Sequence, residues 1–471
     1  MQRQIIRQCH RFVDPRFSRH LLANLPPHVT QWTTCQETLF RELGNRPPSH
    51  SPPDIILQSF TGSGKTFAYL LPLIDKHILK DDQYASPKIL VIVPTRELAY
   101  QIGEVACNLV SGFSSFSSVM CGSHIPSDWS KSSILISTPG ALLRATESHH
   151  SLPTIQTVVM DEFDRLFDFG FISQIEQILS RINPLANLVL VSATIPTDVR
   201  LLAERLVRPG ALVVVDPSAS PPQLTHSLVE YEPINFFATL RNVLAVEGKK
   251  LVIFPTTKSL LFFYAVMKIE LKNVSALHGR MGHEKRKYIV ANYRQGTNSC
   301  LFTTDVAARG LDFPDIQTVV HIGFSGVENP IEQYIHRSGR TGRGSESSGE
   351  SVLMVGTDLD SKSTAMKNLM TKIGHMTKRS FSPSDPATAV ISTTDPTYKY
   401  LRHLSTKCVE SLLLWHLERR KRFGSSVDKT VVAKSVIDMV RSAGLPQPYV
   451  SSKVAKKLGL DTIPGLLLIR K

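Results

Sequence analysis

The stretch DIILQSFTGSGKTFAYLLPLI, residues 54–74, constrains this chain more than any other part of it. It reads as a short apolar strand, a loop with two glycines, and then a helix. Gly62 and Gly64 let backbone N–H groups turn inward, at the positive end of the following helix, so the loop is shaped to hold phosphate oxygens. Thr61, Gly62, Ser63 and Gly64 then form the cradle, Lys65 reaches the β- and γ-phosphates, and Thr66 holds Mg²⁺ through its hydroxyl. The strict pattern has glycine where Ser59 stands, and serine is small enough for the same turn. Further on, TVVMDEFD ends a hydrophobic strand on Asp161, with Glu162 next to it. One carboxylate there can bind Mg²⁺ and its neighbour can orient an attacking water. Acids after a strand usually mark only a polar turn, but downstream of a phosphate loop the catalytic reading prevails.

Short apolar, β-branched runs recur before loops and helical stretches: DIILQSF, KILVIVPT, SILIST, TVVMDE and NLVLVSAT, then KLVIFPT, SCLFTTD and TVVHIG. Continuous apolar strands alternating with helices predict parallel sheets covered on both faces. DPSASPPQLTH, rich in Pro and Ser, separates the two groups as a linker. A second loose stretch, KRSFSPSDPATAVISTTDPT, precedes a tail that lacks strand signals and is predicted helical. The expected fold class is α/β, two tandem parallel-sheet lobes over residues 12–216 and 225–385, with a basic helical extension over 386–471.

At 471 residues and 42% hydrophobic, the chain can bury more than one core. Its net charge of +14 is unevenly placed, since residues 398–471 hold 15 Lys and Arg against 5 Asp and Glu. That imbalance points to an anionic partner, because each neutralised phosphate releases counterions. Cys9, Cys35, Cys107, Cys121, Cys300 and Cys408 lie far apart, without the close pairs of a zinc or redox site. No apolar run approaches the roughly 18 residues of a membrane span. Residues 1–11 carry Arg3, Arg7 and Arg11 at helical spacing with no acid before Asp14, a pattern of mitochondrial leaders.

TGSGKT, PTRELA, TPG, DEFD, SAT, TTDVAARGLD and HRSGRTGR follow one another in this order over residues 12–355. Together they make the chain resemble the DEAD-box RNA helicases of superfamily 2. The resemblance implies two RecA-like domains, ATP and Mg²⁺ as nucleotide and metal, and RNA as the strand held between hydrolysis events. Gln36 then matches the glutamine that reads the adenine edge, and Phe12 the upstream aromatic packed against it. Thr30 stands at the aromatic position beside adenine, with Trp32 near but displaced. Asp164 corresponds to the acid that bonds Ser192 or Thr194 and couples nucleotide to closure. Arg340 and Arg343 match the arginines that stabilise charge on the transferring phosphoryl group. His336 and Arg337 belong to the lobe interface, and Gly310 and Asp312 to the ribose side. Phe163 replaces an alanine, either packing locally or slowing turnover.

RNA contacts carry over to Pro94, Thr95, Arg96, Gly122, Thr138, Gly140, Gly279, Thr304 and Arg309. Backbone contacts of this kind fix register without reading sequence, and 2′-hydroxyls separate RNA from DNA. Ser123 replaces the second glycine of a pair and Ala141 the arginine that ends TPGR, which removes a multidentate donor. The tail resembles the extension of mitochondrial RNA-chaperone helicases, where it props the second lobe and adds RNA-binding surface. Leu412, Leu413 and Trp415, at helical spacing, are expected in its core rather than as a stacking platform. The expectation is an RNA-dependent ATPase that opens short duplexes locally, acts as a monomer, and takes its targets from protein partners. The mitochondrial matrix is its expected compartment, with nucleus or cytoplasm as the alternative. A clamp or scaffold with little unwinding, and a DNA helicase, stand as rival readings.

Overall fold

The computed structural model describes residues 14–27, 29–44, 53–59, 63–79, 86–113, 119–122, 132–147, 152, 154–215, 224–305, 313, 315–323, 330–342, 349–359, 364–381, 397–423, 428–463 and 466–469. The chain divides into two compact units, residues 1–220 with 309–312, and residues 221–308 with 313–471.

The first unit is built on a seven-stranded sheet of β1 (Ile55–Gln58), β2 (Ile89–Ile92), β3 (Val119–Gly122), β4 (Ile134–Ser137), β5 (Thr157–Asp161), β6 (Asn187–Ser192) and β7 (Leu212–Val215). Their order is β3-β4-β2-β5-β6-β1-β7 and every pairing is parallel. Alternate side chains leave opposite faces of a strand, and here both faces are dry. Ile55, Leu57, Ile89, Val91, Val159, Val189 and Val191 pack under the helices Thr34–Leu43, Lys65–Ile74 and Arg96–Leu109. Ile56, Leu90, Ile92, Val158, Met160, Leu188 and Leu190 pack under the helices that include Phe163–Asp168, Ile172–Leu179 and Thr197–Leu206. Each fully buried aliphatic side chain contributes about 1.5–3 kcal/mol relative to exposure. Phe163 is 2% exposed within the second of these cores, so its ring packs locally.

The lower edge of the sheet is pinned by Asp54. Its carboxylate accepts the backbone N–H of Leu188 (2.8 Å) and of Arg208 (2.7 Å), and the Arg208 guanidinium at 2.6 Å. One buried acid thereby ties the start of β1 to the start of β6 and to the turn before β7.

The second unit repeats the plan with β8 (Leu224–Tyr231), β9 (Lys250–Phe254), β10 (Val274–Leu277), β11 (Cys300–Thr304), β12 (Thr318–Ile322), β13 (Gly349–Gly356) and β14 (Thr377–Arg379). The order is β10-β11-β9-β12-β13-β8-β14, again parallel throughout. Thr257–Glu270, sequence TKSLLFFYAVMKIE, is apolar on more than one face because it lies between two layers. Beneath it is the sheet; above it are the helices Tyr398–Phe423 and Lys429–Arg441, whose Leu401, Leu404, Val409, Leu412, Leu413 and Val436 share its core. The extension is therefore part of the second unit's fold. It also contains two short parallel strands, β15 (Val450–Ser451) and β16 (Leu468–Ile469), which the all-helical reading of the tail did not include. Trp415 is half-buried, its ring edge-on to that of His416 at 4.6 Å.

Among the described residues no helix is long and apolar enough to cross a membrane. Cys35, Cys107, Cys300 and Cys408 are free, and among the described residues no cluster of His, Cys, Asp and Glu could hold a metal.

Candidate functional site

All strands of a parallel sheet end on one edge, and open α/β sheets bind ligands outside that carboxyl edge. In the first unit this edge carries nearly every candidate residue. Ser63 to Thr66 follow β1, Asp161 to Asp164 follow β5, and Ser192 and Thr194 close β6; these three strands are adjacent. Pro94, Thr95 and Arg96 follow β2, Gly122 ends β3, and Thr138 and Gly140 follow β4, on the adjoining half of the same edge. Strand order alone thus sets the candidate nucleotide residues beside the candidate RNA residues.

Gly64 takes φ +80°, a left-handed conformation, as it caps the helix Lys65–Ile74. A Cβ there would run into Nε2 of Gln36. Gln36 is 4% exposed, and its amide closes a local circuit: Oε1 accepts the Thr33 N–H (2.8 Å) and Nε2 donates to the Gly64 carbonyl (3.2 Å). Thr33 caps its own helix and donates its hydroxyl to the Ser63 carbonyl at 2.9 Å. Gln36 is thus brought to the phosphate loop. Trp32 packs edge-on against Phe17 and Phe40 and donates Nε1 to Asp14 at 2.8 Å, so its partly buried ring is held against the first core. Thr30 is exposed. Phe12, Thr61 and Gly62 lie outside the described residues, as does Ser123.

Lys65 turns back on the loop that carries it, donating Nζ to the Ser59 carbonyl at 2.8 Å. Ser59 is buried, and its N–H reaches the Ser192 carbonyl (3.0 Å), which fits a small residue at this point in place of glycine. Burial pulls the Lys65 amine below the ordinary lysine range, while Asp161, Glu162 and Asp164 oppose that shift. Asp161 is buried beside Glu162 and its carboxyl is pushed up to about 6. Its Oδ1 accepts the Glu162 N–H (2.8 Å) and its Oδ2 accepts the hydroxyl of Tyr69 (2.9 Å). Glu162 adopts φ 51°, a strained conformation for a non-glycine residue and one that clusters at functional sites. Thr66 stands one turn before Tyr69 on the same helix. The Thr66 hydroxyl and the Asp161 carboxylate are both hard oxygen donors, and such a pair fits Mg²⁺.

Asp164 is tied to the turn after β6. Thr194 donates its hydroxyl to Oδ2 (2.8 Å), the Asp164 N–H reaches Ser192 Oγ (3.3 Å), and Ser192 Oγ donates to the Thr194 carbonyl (2.7 Å). On the RNA half, Thr95 caps the helix Arg96–Leu109 and Arg96 is exposed. Ala141 is 3% exposed, part of the core. One turn on, the exposed Arg144 places Nη1 3.6 Å from where a Cβ of Gly140 would stand.

In the second unit, Gly279 follows β10 with nothing within 4 Å of its outer side, and Thr304 ends β11 next to it in the sheet. The helix Pro330–Ser338 carries His336 and Arg337, and Arg340 follows it. Arg337 is 7% exposed and forks onto both oxygens of Asp305, just past β11. Its guanidinium is engaged with Asp305 inside its own unit. Arg309, Gly310, Asp312 and Arg343 lie outside the described residues. Tyr69 and Arg144 were not among the sequence candidates. Tyr69 was legible as the residue three positions after Thr66, on the same helix face.

Residues 33–202 match the family model of the DEAD/DEAH box helicases, and residues 235–345 that of the helicase conserved C-terminal domain. DEAD-box ATP-dependent RNA helicase 40 of Oryza sativa subsp. japonica is 35% identical over 305 residues, 62% of this chain and 38% of that protein. DEAD-box ATP-dependent RNA helicase 14 of Arabidopsis thaliana is 34% identical over 323 residues, 66% of this chain and 51% of that protein. The chain thus spans about two fifths and about half of the length of these curated relatives. Among solved structures, Mss116p bound to ssRNA and AMP-PNP superposes with a TM-score of 0.78 at 23% identity, covering 100% of this chain and 96% of that one. S. cerevisiae Dbp5 bound to RNA and ADP BeF3 gives 0.65 at 25% identity, covering 77% and 94%. With two parallel-sheet, RecA-like domains and both helicase models matched in order, the chain belongs to the DEAD-box helicase family.

Proposed function

We propose that this chain is an RNA-dependent ATPase that separates short RNA duplexes locally. The observation that carries this reading is the shared carboxyl edge of the first sheet. There Lys65, Thr66, Asp161 and Glu162 cluster on β1, β5 and β6, directly beside the Arg96 and Thr138 loops of β2 and β4. In the proposed mechanism the Lys65 amine leaves the Ser59 carbonyl for the β- and γ-phosphates. Thr66 and Asp161 would hold Mg²⁺, which when bound would neutralise phosphate charge. Glu162 orients the attacking water, and Arg340 and Arg343 of the second unit stabilise charge on the transferring group. Asp164 and Thr194 relay the state of the nucleotide to the end of β6. RNA and ATP binding are then reciprocal, each tightening the other.

The relatives named as ATP-dependent RNA helicases support RNA as substrate, as do the neighbours solved with RNA. The arginine spacing of residues 1–11 and the basic extension support a mitochondrial compartment, to be checked by imaging a C-terminally tagged chain. The chain is proposed to act as a monomer, with protein partners directing target choice. Burial of Ala141, which leaves no guanidinium at that position, lends support to a second reading as an ATP-gated RNA clamp. ATPase rates without nucleic acid, with single-stranded RNA and with matching DNA test the first reading: stimulation by RNA alone is expected, and equal stimulation by DNA would refute it. Glu162→Gln is expected to trap an RNA-clamped, ATP-bound state. Tight clamping by the wild-type chain with no strand release would favour the second reading.

A further inference from the structure

Tyr69 is fully buried in the helix Lys65–Ile74, among Ala68, Leu70, Leu71, Leu73 and Ile74. Any apolar side chain would serve the core at such a position, and a phenol there is unfavourable unless its hydroxyl is bonded. The bond it makes is specific. It donates to Oδ2 of Asp161 at 2.9 Å, and Thr66 stands one turn back on the same helix. Oδ1 of Asp161 is fixed independently by the Glu162 N–H at 2.8 Å. The carboxylate is thus held from both sides, once by the chain that follows β5 and once by the helix that follows the phosphate loop.

The geometry points to Tyr69 as a positioning residue of the metal site: its hydroxyl holds the Asp161 carboxylate in place, so that a divalent cation meets an oxygen already oriented. The inference rests on the nucleotide and metal reading given above. It goes beyond that reading because it moves part of the metal affinity onto a side chain that touches neither metal nor nucleotide. Without the phenol, Asp161 keeps the Glu162 N–H on Oδ1 but loses the partner that fixes Oδ2. Partners that orient metal ligands in this way commonly account for 10- to 100-fold in affinity.

The test is Tyr69→Phe in the full chain, read as binding of a fluorescent ADP analogue during a MgCl₂ titration, with no turnover. The Mg²⁺ concentration at half-effect is expected to rise about tenfold, while analogue affinity in EDTA and the thermal midpoint stay as in the wild type. An unchanged Mg²⁺ requirement with an intact fold overturns the inference, as does a lowered one, which would make the phenol a competitor. A second measurement needs no variant to fold: in wild-type chain labelled with 3-fluorotyrosine, the Tyr69 resonance is expected to shift over the same Mg²⁺ range, and indifference to Mg²⁺ overturns the proposal. Asp161→Asn separates the two levels. If neither it nor the wild type shows any Mg²⁺ dependence, the metal reading itself fails and the positioning role falls with it.

Discussion

Thr194 donates its hydroxyl to Oδ2 of Asp164 at 2.8 Å, joining the turn after β6 to the acidic turn after β5. Ser192 closes the ring, accepting the Asp164 N–H and donating to the Thr194 carbonyl. The acidic turn that carries Asp161 and Glu162 is therefore tied through Asp164 to the end of the neighbouring strand. Thr194→Val keeps the shape and removes the donor. Duplex separation is expected to fall about tenfold while RNA-stimulated ATPase changes no more than about threefold, since hydrogen-bonded networks lose more than one pair's worth when opened. Parallel assays of the two activities decide it; losses of equal size would remove Asp164 and Thr194 from coupling.

Gly64 fails as alanine for two separable reasons. Its φ of +80° costs a non-glycine residue about 1–2 kcal/mol, and the new Cβ would meet the Gln36 amide. Gly64→Ala is expected to weaken nucleotide binding at least about tenfold. Adding Gln36→Ala removes the clash but not the backbone strain, so the double variant should recover only part of the loss. Calorimetric titration of the four combinations isolates the pairwise share.

Much of this arrangement could be read before any coordinates, because it is written in local chemistry. DIILQSF and TVVMDE became strands since continuous apolar runs bounded by loops suit a sheet covered on both faces. The loop residues Ser63 to Thr66 follow β1 for the same reason. What stayed hidden depends on contacts distant in sequence. No pattern announces that Tyr69 meets Asp161, or that Arg337 closes on Asp305 inside its unit. The place of the tail was partly visible: LLFFYAVM in Thr257–Glu270 carries more apolar surface than a sheet alone can cover. Helix Tyr398–Phe423 supplies the missing cover, so removing it would strip the second unit's core. A charge test of the tail therefore belongs on the exposed Lys453, Lys456 and Lys457.

Asp54 predicts the mechanical weak point of the first unit. It is buried, and Leu188, Arg208 and Asn187 all donate to it. Asp54→Ala leaves two backbone donors and a guanidinium without their acceptor; with Arg208 34% exposed and able to turn to water, a loss of about 2–3 kcal/mol is expected, mostly from the stranded backbone donors. Urea unfolding followed by a probe in the first unit measures it. A change below about 1 kcal/mol would mean that the edge is held by strand pairing alone.

His321 gives the second unit an acid sensitivity with a defined sign. Its ring is fully buried on β12, bonded through Nε2 to Ser351 Oγ at 2.9 Å, and lies against Tyr334. Burial, with Arg337 and His226 nearby, holds its pKa well below 6.5. The folded chain therefore stays neutral there while the unfolded chain takes up a proton below pH 6.5. Stability is full above that value and falls as pH drops, by up to about 1.4 kcal/mol per pH unit. Burial shifts His226 the same way, which adds to the slope. His321→Asn removes the larger titration, and thermal unfolding between pH 7 and pH 5 should become distinctly flatter. An unchanged slope would assign the acid response to other groups.

Arg144 decides whether the first unit truly lacks a guanidinium at its TPG turn. Ala141 is buried, so the position where the resemblance implies an arginine is filled by core. One turn later, Arg144 is exposed, and its Nη1 comes within 3.6 Å of the outer side of Gly140. Among the described residues no side-chain hydrogen bond or ion pair holds it elsewhere. A cation placed over that glycine is available to a phosphate that approaches the turn. Arg144→Gln is then expected to weaken binding of single-stranded RNA and to lower the slope of log affinity against log salt by about 0.7, the share of one phosphate contact on a single strand. Nucleotide affinity without RNA should not move, because the β4 loop lies on the other half of the sheet edge from β1. Titrations at several salt concentrations give the slope directly. A weaker complex with the same slope would point to lost packing, and an unchanged complex would leave Arg144 a solvated side chain and the turn without its guanidinium.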